Sequence, residues 1–103
     1  MKIIIQTPDI KARETLLNFV TEKVEKLGTL SDQLLEARVT LRLDKSDTRE
    51  NKICVIKGVI PGNDLFVEKQ ATSFEEATLK SVETMKRQIS DWKAKKSAQT
   101  EAQ

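Results

Sequence analysis

The spacing of hydrophobic positions changes several times along this chain, and each change marks an element. Lys2 to Thr7 is apolar and β-rich, with Ile3, Ile4 and Ile5 in succession, and Pro8 ends it by removing a backbone donor. The period then becomes helical, starting somewhere between Asp9 and the residue after Arg13. Leu16, Val20, Val24 and Leu27 form a stripe flanked by Phe19, and Gly28 is placed to stop the helix. Leu35, Ala37, Val39, Leu41 and Leu43 next alternate with Glu36, Arg38, Thr40 and Arg42, as a half-buried strand does. Asp44 to Glu50 holds no apolar residue and reads as a mobile surface loop. Asn51 to Ile60 is apolar on both faces, as a central strand would be. Pro61-Gly62 suits the middle of a type II turn, so Asp64 to Ala71 should fold back antiparallel and complete a meander.

The last period is helical again, from Ser73 to Lys96. Ser73 followed by Glu76 resembles a capping box, with acid near the positive end of the helix. Phe74, Ala77, Val82, Met85, Ile89 and Trp92 fall on one face, so Trp92, like Phe19 and Phe74, is read as packing and not as a base-stacking site. Ser97 to Gln103 has no apolar anchor and is expected to fray as a tail. The element order is β-α-β-β-β-α. Both helices carry one apolar stripe, so they should lie side by side on one face of a four-stranded sheet. The expectation is a two-layer α+β domain over residues 1–96 with a flexible tail at 97–103.

Composition narrows the chemistry. At 103 residues there is room for one domain, and no apolar run approaches the roughly 18 residues of a membrane span. The short N-terminal run lacks a signal-peptide cleavage site, which points to a cytoplasmic protein. There is no histidine, and Cys54 is the lone cysteine, so an intrachain disulfide, a Cys/His metal site and a Ser-His or Cys-His catalytic pair are all excluded. Cys54 reads as a small buried hydrophobe. No phosphate-binding glycine loop is present, and neither an enzyme nor a cofactor is expected.

Net charge is only +2, so its distribution matters more than its size. Around the last helix stand Lys80, Lys86, Arg87, Lys93, Lys95 and Lys96, opposed along that stretch only by Glu83 and Asp91. On the first helix Glu14, Glu22 and Glu25 point outward, while Lys23 and Lys26 sit beside Phe19 on one shoulder of the stripe. Those lysines either snorkel along the core edge or grip phosphate. Packing the helices together brings this shoulder near one basic flank of the last helix, and the sequence leaves open which flank.

The run LLNFVTEKVEKLGTL, then EARVTLRLDK, the hairpin and SFEEATLKSVETMKRQISDWKAK, resembles the short ribosome hibernation promoting factor and ribosome-associated inhibitor family, also called ribosomal subunit interface or sigma-54 modulation proteins. The resemblance covers Lys2 to Lys96 and includes the element order. It implies a factor that binds the small ribosomal subunit and its ribosomal RNA in the messenger and transfer RNA channel. Such a factor silences idle ribosomes, with the whole 70S ribosome as the wider partner and no membrane or DNA involved. The matching RNA contacts would be Lys23, Lys26, Arg87, Lys93 and Lys95, with Lys80, Lys86 and Lys96 added by proximity. Arg38 and Arg42 rank lower, being on the polar strand face.

Three departures stand out: Ser73-Phe74-Glu75 replaces a tyrosine-containing entry to the last helix, Asp91 stands where a basic residue is expected, and Glu68-Lys69-Gln70 is atypical. Two alternatives remain from the residues alone. One is a double-stranded-RNA-binding domain, disfavoured by Glu75-Glu76 at the helix start. The other is a protein-interaction module using the sheet edge or polar sheet face.

Overall fold

The computed structural model of the protein describes residues 1–45 and 49–101, with side chains described as far as Lys95. The elements are β1 (Lys2–Gln6), α1 (Glu14–Glu25), a 3-10 turn (Lys26–Thr29), β2 (Glu36–Leu43), β3 (Lys52–Ile60), β4 (Asn63–Ala71) and α2 (Phe74–Glu101). This is the expected order, and the fold is a two-layer α+β structure. The strands lie in the order β1-β2-β3-β4. β1 runs parallel to β2 with Ile4 opposite Arg38, and β2-β3-β4 is the antiparallel meander.

Period-two alternation in β2 puts Ala37, Val39 and Leu41 on the inner face, beside Cys54 and Ile56 of β3 and Val67 and Ala71 of β4. Val20 and Val24 of α1 with Leu27 of the 3-10 turn cover one part of this surface, and Phe74, Ala77, Val82, Met85 and Ile89 of α2 cover the other, all in one contiguous core. Burying each such large side chain contributes about 1.5–3 kcal/mol. Trp92 and Phe19 pack against the core from its edge, and Phe74 lies within it. Two buried hydroxyls are satisfied: Thr78 donates to the Phe74 carbonyl at 2.7 Å, and Ser81 donates to the Cys54 carbonyl at 3.0 Å, tying helix to sheet.

Turns and caps follow their residue chemistry. Gly62 has φ +78°, the third position of a type II turn, and β4 begins one residue earlier than the alternation implied. The Ser73 hydroxyl accepts the Glu76 N–H at 3.1 Å, while the Glu76 carboxylate takes the Thr72 hydroxyl at 3.0 Å. Half of the capping box therefore forms as written, and the other half uses a neighbouring side chain.

α1 starts at Glu14, the late end of the expected range, on an extended Arg13 with no side-chain cap; Asp9 accepts the Leu43 N–H at 3.3 Å, pinning the β1–α1 link to the end of β2. Three expectations are corrected. Gly28 does not stop α1 in a left-handed cap. The helix ends at Glu25 and tightens into the 3-10 turn that buries Leu27, and Gly28 leaves room for the Met1 side chain, 3.4 Å from where a Cβ would sit. Leu35 is 56% exposed and lies outside β2, because Leu34, 3% exposed, fills the inner space in its place. Finally, α2 continues past Lys96 to Glu101, since no glycine or proline interrupts it. Ser46, Asp47 and Thr48 of the polar loop, and Ala102 and Gln103 of the tail, lie outside the described residues.

Candidate nucleic-acid interface

β1, β2 and β4 run in one direction, and each helix turns back from the end of such a strand, so α1 and α2 lie side by side and parallel. Contacts at both ends bear this out. At the N-terminal end Arg13, Leu16 and Phe19 share a cavity with Phe74 and Glu75. At the other end the Lys93 ammonium donates to the Leu30 carbonyl, just after the 3-10 turn, at 2.6 Å.

The Lys93 bond fixes which flank of α2 faces α1. A step of seven residues returns to within about 20° of the same side of a helix, so Leu79 and Lys86 share the flank of Lys93. Gln88 marks the opposite flank, where its amide donates to the Phe66 carbonyl on the β4 edge at 3.2 Å. On α1, Phe19 faces the shared cavity, and the Lys23 ammonium lies 5.4 Å from its ring centroid. Lys26 continues that shoulder. Lys23, Lys26, Lys86 and Lys93 therefore line one groove between the helices. Leu79, 47% exposed, adds an apolar position to the same flank.

The structure does not bring the other candidate cations into the groove. Lys80 and Arg87, again seven residues apart, lie on the solvent-facing back of α2, and Lys80 pairs with Glu76 at 3.6 Å. Lys95 falls seven residues after Gln88, on the β4 side. Lys96 lies in α2, but its side chain is outside the described residues. Arg38 and Arg42 are on the outer sheet face, opposite the helices, where each is paired: Arg38 with Glu36 at 3.1 Å and Arg42 with Glu68 at 2.6 Å. Lys57 and Asp64 add a third pair there at 3.3 Å.

This contrast between faces is the clearest electrostatic feature of the molecule. On the sheet face three ion pairs form, and among the described residues Lys2 of β1 is a cation there without one. In the groove, Lys23 only approaches Glu22 at 4.0 Å, and among the described residues Lys26 and Lys86 have no carboxylate partner at all. Asp91 does not dilute this charge. It precedes Lys93 by two residues, roughly 200° around the helix, and so lies on the far side from the groove.

Sequence reasoning missed Lys11 and Arg13, which stand at the mouth of the shared cavity. They belong to an irregular link with no periodicity to place them. Leu79 could have been found from its seven-residue spacing with Lys86 and Lys93. Elsewhere, burial pushes the Cys54 thiol above its ordinary value, and the Thr78 and Ser81 hydroxyls offset part of that shift. Among the described residues no group of three metal-ligating side chains forms, and no helix is long and apolar enough to cross a membrane.

Comparison with known proteins adds three findings. The model of the sigma 54 modulation protein / S30EA ribosomal protein family matches residues 3–97. The structure is similar to the N-terminal domain of Protein Y from Thermus thermophilus, with a TM-score of 0.76 at 20% identity, over 89% of this chain and 99% of that one. It is also similar to a ribosomal subunit interface protein from Coxiella burnetii, with a TM-score of 0.80 at 14% identity, over 91% of this chain and 99% of that one. Among curated proteins no relative is matched.

Proposed function

The chain belongs to the sigma 54 modulation protein / S30EA ribosomal protein family, and from that premise we propose that it binds the small ribosomal subunit through ribosomal RNA. It would occupy the channel that otherwise holds messenger and transfer RNA and so keep idle ribosomes inactive, in the cytoplasm, without catalysing a reaction. The observation that carries this reading is the groove of Lys23, Lys26, Lys86 and Lys93, cationic and largely free of carboxylates, on the side opposite a sheet face where three ion pairs form.

Physical chemistry supports that use of the groove. Cations held on two packed helices replace counterions along a phosphate backbone, and A-form RNA is recognised mainly by backbone and shape because its major groove is too deep and narrow to read. Lys93 is positioned by its bond to Leu30, which lowers the entropy lost when it meets a phosphate. Binding should be salt-sensitive and nearly indifferent to base sequence.

The test is co-sedimentation of the protein with isolated small subunits and whole ribosomes at several salt concentrations. Four phosphate contacts predict a log–log slope of magnitude roughly three. The double variant Lys26→Glu with Lys86→Glu should fold normally, lose most of its ribosome affinity and flatten that slope. A folded double variant that still sediments with ribosomes would refute the site.

A further inference from the structure

The cavity between the N-terminal ends of α1 and α2 adjoins the groove through Phe19, whose ring also carries the Lys23 ammonium, but none of the four groove lysines lines it. Its volume is about 460 Å³, within the range of roughly 300–1,000 Å³ typical of small-molecule sites. Leu16, Phe19 and Phe74 give it an apolar side, and Lys11, Arg13 and Glu75 give it a charged one. Lys11 and Arg13 are exposed and, among the described residues, have no carboxylate partner; Glu75 likewise has no cation on it. A bare inorganic anion would be drawn to the two cations but repelled by Glu75. The lining suits a ligand that carries an anion at one end, a flat apolar body, and N–H donors at the other.

We propose that this cavity binds a single nucleotide, with the base against Phe19 and Leu16, the phosphate on Lys11 and Arg13, and base N–H groups donating to the Glu75 carboxylate. Stacking on aromatic side chains and Watson–Crick-edge hydrogen bonds are how unpaired bases are recognised. Guanine fits best, because its N1–H and N2–H groups lie side by side and can both donate to one carboxylate. Uracil fits worst, since its lone N3–H is flanked by two carbonyls that the carboxylate repels. The nucleotide could be free or an unpaired unit of ribosomal RNA; in the second case the proposal rests on the ribosomal reading above.

The experiment is a ¹H–¹⁵N spectral titration of the whole chain with guanosine 5′-monophosphate, uridine 5′-monophosphate and ribose 5-phosphate. Guanosine monophosphate should give saturable shifts confined to residues 10–19 and 74–75, with affinity about tenfold above uridine monophosphate, a difference of about 1.4 kcal/mol. Lys11→Ala with Arg13→Ala should weaken binding about tenfold, and Glu75→Gln should erase the preference for guanine. Absence of saturation, or equal binding of ribose 5-phosphate, overturns the proposal.

Co-sedimentation of the Lys11→Ala, Arg13→Ala variant identifies the source. Weakened ribosome binding, with guanosine monophosphate competing, assigns the cavity to a unit of ribosomal RNA. Unchanged ribosome binding with intact titration of the parent protein assigns it to a free nucleotide. The two readings also fail separately. Ribosome binding without any nucleotide titration sinks only the cavity, and nucleotide titration without ribosome binding sinks only the ribosomal role.

Discussion

Gly58 sits where β3 passes beneath α2, and what touches it explains its identity. A Cβ there would lie 3.2 Å from Leu34 Cδ1 and 3.4 Å from Met85 Sδ. Gly58→Val should therefore overpack the core and cost about 1–3 kcal/mol in urea unfolding, and adding Met85→Ala should recover part of that loss. Cys54, on the same strand, gives a prediction in pH. In the unfolded chain its thiol ionises near about pH 8.5. In the folded chain burial keeps the proton on. As pH rises past the unfolded value the unfolded state alone releases a proton, so stability falls above that point and is flat in this respect below it. Urea midpoints at neutral and alkaline pH should show this decline, and Cys54→Ala should reduce it. In the native state the thiol should resist alkylating reagents at neutral pH. Burial of Cys54 was legible in the sequence. The neighbours of Gly58 were not, because they come from the turn before β2 and from α2, and only the tertiary fold brings them to one place.

For the helices, period and caps were readable but azimuth was not. The stripe on α2 and the Ser73 cap followed from residue spacing. Which flank of α2 faces α1 depends on strand order, which places α1 by β1 and α2 over β3 and β4. That order divides a run of lysines that look equivalent in the sequence into groove and back. Reversing the back-face charges, Lys80→Glu with Arg87→Glu, should leave ribosome affinity within a few-fold of the parent and the salt slope nearly intact, as measured in the same gradients that report the groove variant. The end of α1 shows a second limit. Gly28 looked like a stop signal, yet the chain tightened into a 3-10 turn before reaching it, because burying Leu27 mattered more than a left-handed cap. Ser73→Ala should cost α2 about 1 kcal/mol by thermal unfolding, the usual loss when a hydroxyl cap is removed.

The whole molecule has two unlike sides. Phe66, 60% exposed on the outer sheet face, stands among paired charges, whereas the helical side carries bare cations in its groove. The overall architecture was legible because each element buries one face, and two helices over one sheet is the simplest way to cover them. The asymmetry between the sides was not, since Arg42 counts as a bare cation in a sequence and meets Glu68 only once β2 and β4 are placed, although the Arg38–Glu36 pair lies within β2 itself. A net charge of +2 is small, but the unpaired lysines concentrate positive potential along the groove. Before any contact forms, the field of a polyanionic partner would turn the helical side toward itself, so orientation would come from diffusion in that field and not from trial collisions. Stopped-flow association with ribosomes should then slow steeply as salt is added while dissociation changes far less.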